Sequence, residues 1–245
     1  MADLSETIDD NGANPPPICE GRTAESLCGF FKRYAHQQGY SDVSAFFQDY
    51  GLRFGRPITR ALPEVEEILG LSTGALQALS VKVDPNHPIY DQHFERRQIA
   101  PVCPACIDEG LPHQLSWQHC FVTACVDHEI QLVDQCPVCQ EAFLVNSGGF
   151  ESCACGFPLR ELPRKGALPA ALAVTALLVG RPGASPVKLP ESLLARVPGS
   201  AGRFIRFLSA SELDRCSAKP GKNPLPKTIS EAHEWIEALA PVLDD

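Results

Sequence analysis

Apolar residues recur at three- and four-residue intervals near the start of the chain, which is the spacing of one face of an α-helix. The first predicted helix begins near Ala24, with Thr23 as its N-cap, and stops at Gly39. Its apolar face consists of Leu27, Phe30, Phe31 and Tyr34. A second helix is predicted after Ser41, and its apolar face consists of Val43, Phe46, Phe47 and Tyr50. The chain therefore opens its folded part with two amphipathic helices.

Two further helices follow at short spacing. Pro63 suits the first turn of a helix that ends at Gly70, and Ser72 can cap the next one. The inward residues of that last helix are Leu76 and Leu79. The intervening turn resembles that of a helix-turn-helix, in which residues 73–79 would be the recognition helix. This stretch has no Lys or Arg, and base readout normally rests on phosphate contacts, so compact packing or partner binding is favoured over DNA contact.

The last third of the chain also carries helical patterns. A mostly apolar helix from Pro169 to Val179 is predicted to be buried, and two helical pieces follow at residues 190–197 and 203–213. In the second piece Arg203 and Arg206 share one face, and the other face is predicted to carry Phe204, Phe207 and Leu208. A final helix is capped by Ser230, with Glu231, Glu234 and Glu237 mostly outward and an inner face of Ile229, Ala232, Ile236 and Leu239. The longest apolar run, 168–179, is too short to span a bilayer.

Between these helical parts lies a run of paired cysteines. Residues 103–155 hold eight of the eleven cysteines in 53 residues, and short spacers let two donors turn back onto one ion. Four pairs predict two closed sites that each bind a structural zinc ion. The first predicted site consists of Cys103, Cys106, Cys125 and His128. The second consists of Cys136, Cys139, Cys153 and Cys155.

Other interpretations of the cysteines remain open at this point. Disulfides would need an oxidising compartment, whereas the acidic N-terminus lacks the apolar core of a secretory signal. An interleaved pairing, as in RING-type cross-braces, would join the Cys103 and Cys136 pairs. Cys120 and His119 are further candidate donors, although Cys120 also suits a small buried apolar position. Closed four-ligand sites leave no position for a catalytic water, so the predicted role of the metal is structural.

Composition and charge restrict the class of protein and the partners that the chain is expected to bind. With 245 residues, 44% hydrophobic and 21% charged, the chain is typical of a globular protein with one large or several small domains. Residues 98–159 carry seven acids and no Lys or Arg, whereas residues 160–227 carry twelve basic and four acidic residues. Zinc fingers that bind DNA need positively charged side chains against the phosphates, so the zinc segment, which has none, is predicted to be a scaffold or a protein-binding face. The predicted nucleic-acid contacts are Arg203 and Arg206, together with the loop residues Arg53, Arg56 and Arg60.

These patterns predict a mainly α protein with a small zinc-ribbon β module. We divide it into an acidic, Pro-rich disordered tail at 1–20, a helix-turn-helix-like domain at 21–97, a tandem zinc module at 98–160 and a C-terminal helical segment at 161–245. No P-loop, dinucleotide turn, nucleophile elbow or His-Glu-x-x-His motif occurs. Catalysis by Cys19, Cys28 or Cys216 has no sequence support. A non-enzymatic protein is therefore expected, and paired thiols without an export signal predict the cytoplasm and no membrane contact.

The order of these features resembles the TniQ family of transposition proteins. The residues that carry the resemblance are the helix with Glu25-Ser26-Leu27, Phe31, Arg33-Tyr34-Ala35 and Gly39, followed by Cys103-Pro104-Ala105-Cys106, Trp117, Cys125-Val126-Asp127-His128, Leu132 and Cys136-Pro137-Val138-Cys139. The resemblance covers roughly residues 20–160. Two departures are Val126, where the family commonly has Pro, and a segment of only 85 residues after the zinc module, where longer members carry a second helical domain.

The resemblance implies a target-selection adaptor. Such proteins connect a target-recognition element to the AAA+ ATPase regulator that recruits the transposase, and in CRISPR-associated transposons that element is an RNA-guided effector complex. From the distribution of charge, our own hypothesis is that the acidic zinc segment faces a protein and the basic 160–227 segment meets a nucleic-acid backbone. A homodimer is a further candidate assembly. The alternative is a helix-turn-helix or zinc-finger transcriptional regulator that binds DNA. A third interpretation, a RING-like ubiquitin-ligase scaffold, requires the interleaved ligand pairing.

Overall fold

A computed structural model describes residues 25–54, 58, 61–80, 92–181, 201–213, 225–239 and 241. The predicted tail at 1–20, the helical piece at 190–197, Arg56 and Arg60 lie outside these residues. The described helices are α1 Leu27–Gln37, α2 Val43–Asp49, α3 Leu62–Ile68, α4 Pro104–Asp108, α5 Pro169–Leu178, α6 Ala201–Glu212 and α7 Ile229–Glu237. Strands β1 Ala124–Cys125 and β2 Ile130–Gln131 pair antiparallel, with Ala124 opposite Gln131. The fold is thus mainly helical with one small sheet, as predicted.

Helices α1, α2 and α3 enclose an aromatic core, the helical cluster. Phe30, Phe31, Phe46 and Phe47 are each at most 1% exposed, and edge-to-face contacts such as Phe31–Phe47, with centroids 4.8 Å apart, fill the space between α1 and α2. The predicted apolar faces are confirmed, except that Tyr50 is 47% exposed. The packing of α1 and α2 therefore follows directly from the spacing of their aromatic residues.

Both predicted N-caps of this cluster are wrong by one to three positions. Ser26, not Thr23, caps α1 and accepts a hydrogen bond from the Gly29 amide at 3.0 Å. Residue 25 pairs with Gln114 as an isolated bridge, and this extended backbone prevents the helix from starting earlier. Asp42, not Ser41, caps α2 through the Ser44 amide.

The predicted recognition helix at residues 73–79 is also wrong. The chain forms a turn there and then a single 3₁₀ turn at Gln77–Leu79. Gly74 has φ +87°, and the buried carboxylate of Glu66 accepts the amide protons of Gly74 and Leu76, both at 2.8 Å. The left-handed backbone at Gly74 interrupts a helix at this point, and the Glu66 carboxylate satisfies the amides of the resulting turn. Leu76 and Leu79 are buried as predicted, and the helix-turn-helix motif has no second helix.

A second core joins the cysteine-rich segment to α5, α6 and α7. Trp117, Phe121 and Leu132 from the former pack in one cluster with apolar residues of the latter, among them Val174 and Trp235. The burial of α5 is confirmed, with Leu178 fully buried. The domain boundaries read from the sequence remain predictions.

The C-terminal helices differ from their predictions in two details. Thr228, not Ser230, caps α7, because its side chain and that of Glu231 form a reciprocal capping box. The predicted inner face of α7 is confirmed. On α6, Phe207 was predicted to lie on the face opposite Arg203 and Arg206, but it is 66% exposed and Arg203 is exposed as well. The buried face of α6 instead runs through Gly202, where an added Cβ would lie 3.0 Å from the Phe94 ring, and Ile205.

The helical cluster is held to the cysteine-rich segment by polar contacts. The Ser26 amide donates to the His113 carbonyl at 2.8 Å, and the Val43 amide donates to the Asn146 carbonyl at 3.0 Å. Lys32 is 2% exposed and donates through Nζ to the Ser147 carbonyl at 2.5 Å. The contacts come mainly from the loop 144–148, which we call the latch. In the described ranges, no helix is long and apolar enough to cross a membrane.

Candidate metal centres

The first predicted ligand set converges at the start of α4. Cys103 is the N-cap of α4, and its sulfur accepts the Cys106 amide at 3.5 Å, which places both sulfurs on one side of the turn. Cys125 ends β1, and the turn into β2, with Glu129 at φ 54°, brings His128 back to it. One donor atom from each of the four residues lies within 4.8 Å of all the others. The group could hold a metal ion.

The donor distances fit a tetrahedral zinc ion. Zn–S bonds of about 2.3 Å and Zn–N bonds of about 2.0 Å imply S···S edges of about 3.7 Å and S···N edges of about 3.5 Å. The Cys106 and Cys125 sulfurs are 3.7 Å apart. His128 Nδ1 lies 3.6, 3.3 and 3.4 Å from the sulfurs of Cys103, Cys106 and Cys125. Three thiols and one imidazole in this arrangement are consistent with the donor set of a structural zinc site.

A carboxylate orients the histidine of this set. His128 Nε2 lies 3.0 Å from Glu109 Oε1, so the Nε2 proton is donated to Glu109 and the Nδ1 lone pair points at the sulfurs. No spacing in the sequence marks Glu109 as a partner of a ligand. The one sequence feature that could have identified it is its position three residues after Cys106, at the C-terminal end of α4.

The four cysteines of the second set also converge. The Cys136 and Cys155 sulfurs are 3.7 Å apart, and those of Cys139 and Cys153 are 3.6 Å apart. Left-handed backbone at Gln140, φ 64°, and Gly156, φ 88°, turns the chain back after each pair. This set is more open to solvent than the first, because Cys155 is exposed whereas Cys103, Cys106 and Cys125 are buried. The pairs group in chain order, so the interleaved cross-brace is not the arrangement adopted.

The thiols of the first set favour a bound cation. Hydrogen bonds from Cys106 and Cys125 hold the pKa of Cys103 at about 3, whereas contact with Cys103 raises the pKa of Cys106. One thiolate thus suppresses ionisation of its neighbours while the group holds no cation. A divalent ion removes this repulsion and allows all three sulfurs to ionise as ligands.

The other described cysteines lie apart from both sets. Burial raises the pKa of Cys120 to about 12 and that of Cys28 to about 11, so both thiols stay protonated at neutral pH. His119 is no metal donor either, because its Nδ1 accepts the Phe121 amide at 3.2 Å. These three side chains serve packing. Cys19 and Cys216 lie outside the described residues.

A buried arginine organises the loop between the first two ligand pairs. Arg96 is 3% exposed and donates to the carbonyl oxygens of Trp117 at 3.1 Å, Cys120 at 2.7 Å and Val122 at 2.9 Å. Burial lowers the pKa of Arg96 to about 10, so it remains charged at pH 7. Nothing in the sequence around Arg96 distinguishes it from the adjacent Arg97, so its role could not be predicted.

The arginines predicted to contact nucleic acid lie on both cores. Arg203 is exposed on α6, and Arg206 is half-buried there with Nη1 2.8 Å from His93 Nε2. Arg53 is exposed after α2, on the helical cluster. Their contact with nucleic acid stays a prediction.

Comparison with known proteins agrees with the arrangement of the N-terminal half. A family model described as TniQ matches residues 17–132. This range contains the helical cluster and the complete first ligand set, and it ends before the second. No curated protein matches the chain.

Proposed function

Because this chain belongs to the TniQ family through residues 17–132, we propose that it is a non-enzymatic transposition adaptor. In this proposal it links a target-recognition element, either DNA or an RNA-guided complex, to the AAA+ ATPase regulator of a transposase. The family match carries the proposal. It joins the helical cluster and the first ligand set in one segment, the same two parts that Ser26 and His113 connect in the fold.

The number of protein donors in each candidate metal centre supports a structural role for the metal. Each set supplies four protein donors, so a bound zinc ion would have no open position at which a substrate could bind. Zinc would be held by Cys103, Cys106, Cys125 and His128 in the first centre and by the four cysteines of the second. Bound there, it supplies cross-links between chain segments and no reaction chemistry. The chain's own residues then present surfaces, which is what an adaptor requires.

The distribution of charge suggests which segment binds which kind of partner. The metal-binding segment 98–159 has seven acids and no Lys or Arg, which suits a protein partner with a basic surface. The segment 160–227 has twelve basic and four acidic residues, which suits a phosphate backbone. In our proposal the ATPase meets the acidic segment, and nucleic acid meets Arg203 and Arg206 on α6.

The first experiment measures binding of the zinc-loaded protein to a transposition AAA+ ATPase from the same source, with ATP and duplex DNA, next to a DNA-only arm. Binding to the ATPase–DNA assembly with little affinity for bare DNA is the expected result. Tight, sequence-dependent binding to DNA alone would contradict the adaptor and favour a transcriptional regulator. The segment predicted as the recognition helix of that alternative, residues 73–79, forms a turn followed by a single 3₁₀ turn.

A charge-reversed pair tests the proposed nucleic-acid surface. Arg203→Glu with Arg206→Glu should lower the already weak affinity for bare duplex DNA further and reduce the dependence of this binding on salt by roughly two phosphate contacts. The matched control is Arg164→Glu with Arg181→Glu, two exposed arginines of the same segment whose charges are already paired with Asp108 and Asp127, so that a loss confined to the α6 variant assigns the contact to α6. Equal salt slopes for the α6 variant and the unaltered protein would remove α6 from the proposal.

A further inference from the structure

Helix α6 carries an exposed phenylalanine beside two arginines. Phe207 is 66% exposed, the largest fraction among the large apolar side chains in the described part of the chain. Arg203 lies four residues earlier and is exposed, so it shares the helix surface with Phe207. Arg206 is the preceding residue, and its Nη1 lies 2.8 Å from His93 Nε2. One helix face thus combines an aromatic ring with cations.

The opposite face of α6 is fixed in the second core. Ile205 and Ala210 are each 3% exposed, and Ser209 is fully buried. Gly202 approaches Phe94 so closely that a Cβ there would lie 3.0 Å from the ring. The orientation of α6 is therefore set by its buried face, and Phe207 is held in solvent by the fold.

The surroundings of Phe207 favour a nucleic-acid partner over an apolar one. A protein-docking patch is a contiguous apolar area, whereas Phe207 is the only large apolar side chain in the described part of α6 that is strongly exposed. The sequence around it, 160–227, has twelve basic and four acidic residues. An isolated aromatic ring in a cationic setting is the arrangement with which proteins stack bases of single strands.

We infer that α6 binds unpaired nucleic acid, with Phe207 stacked on a base and Arg203 and Arg206 paired with the neighbouring phosphates. Residues one helical turn apart have Cβ atoms about 5–6 Å apart, so a ring and a guanidinium can reach the base and phosphate of one nucleotide. Bases within a duplex are already stacked and offer the ring no open face. The inference rests on the proposed contact of α6 with nucleic acid and adds that the strand is unpaired.

Substitution of Phe207 tests the stacking. The probe is a labelled oligothymidylate of about 12 nucleotides, within the usual range of single-strand sites, and its binding is compared with that of a labelled duplex. Phe207→Ala should weaken oligothymidylate binding by about fivefold to a hundredfold and leave duplex binding unchanged. Phe207→Leu should behave like Ala, because it is apolar without a π-face. Phe207→Trp should restore affinity, and its fluorescence should be quenched by the bound strand.

The matched control is Val138→Ala. Val138 is 65% exposed but lies in the acidic segment, so its loss should not change oligothymidylate binding. Thermal melting of each variant excludes misfolding as the cause of a loss. Restoration by Leu, an equal loss on duplex, or unchanged oligothymidylate binding would overturn the inference. Failure of the unaltered protein to bind oligothymidylate, with duplex and ATPase binding intact, would overturn it too and leave the proposed function standing.

Discussion

Replacement of Arg96 by Met tests whether this buried cation stabilises the loop between the ligand pairs. The guanidinium satisfies three buried carbonyl oxygens, those of Trp117, Cys120 and Val122. Met keeps the apolar stem of Arg and removes all three donors. The loop would then contain acceptors without partners, in a core that water does not reach.

The expected loss of stability follows from two opposing terms. An unsatisfied buried carbonyl costs about 1–3 kcal/mol, which gives roughly 3–9 kcal/mol for three. Against this, burial lowers the pKa of Arg96 from 12.5 to about 10, so removal of the cation returns about 3 kcal/mol. We expect Arg96→Met to lower the free energy of unfolding by about 3 kcal/mol. Arg96→Lys, which keeps the charge but loses the planar fork, should lie between Met and the unaltered protein.

Urea unfolding followed by tryptophan fluorescence measures this loss. Both tryptophans, Trp117 and Trp235, are buried in the core that contains the loop. The matched control is Arg97→Met, because the Arg97 side chain is 45% exposed and its pair with Glu95 spans 3.7 Å, so the change should cost less than about 1 kcal/mol. An Arg96→Met protein as stable as the control, or more stable, would refute the reasoning and mean that the cost of burying the cation dominates.

Three further perturbations have defined outcomes. Burial lowers the pKa of Lys32 to about 8, so the unfolded chain holds more protons than the folded chain between pH 8 and 10.5. The free energy of unfolding should therefore rise by up to about 3 kcal/mol over this pH range, and urea unfolding of Lys32→Met should show no such rise. Burial lowers the pKa of His113 to about 3, so stability should fall as the pH drops below 6.5, by about 2 kcal/mol from pH 7 to pH 5, and His113→Asn should show a smaller fall in the same assay. Metal analysis should find about one zinc ion fewer in each of Cys103→Ser and Cys155→Ser. Only Cys103→Ser should also shift the tryptophan fluorescence, because Cys103 lies in the core and Cys155 is exposed, and equal shifts would contradict this difference between the centres.

Features that depend on local spacing were predictable from the sequence. Both ligand sets, the apolar faces of α1 and α7 and the burial of α5 follow from intervals of two to four residues. The same holds for the end of α1 near Gly39, which has φ +81°. In these cases the residue types along a short stretch fix the local structure.

Features that depend on distant residues were not predictable. The turn at 73–79 depends on the Glu66 carboxylate, which lies on α3 and looks like a surface acid in the sequence. The face of α6 that packs is decided by the approach of Gly202 to Phe94, more than 100 residues earlier. Arg96 and Arg97 are the same residue type at adjacent positions, and only the fold determines that Arg96 is buried and Arg97 exposed. Long-range contacts of this kind leave no periodic signal.

The latch has a consequence for newly made chains. Lys32 and Ser147 are 115 positions apart, so the helical cluster leaves the ribosome well before the loop that will hold it. The latch lies between Cys139 and Cys153, so its shape would depend on whether the second centre binds a metal ion. In a cell short of zinc, Lys32 on α1 and Val43 at the start of α2 would lose their partners in the latch, and this side of the helical cluster would be open to proteases. We expect zinc supply to set how much of this protein accumulates, before any question of its activity arises.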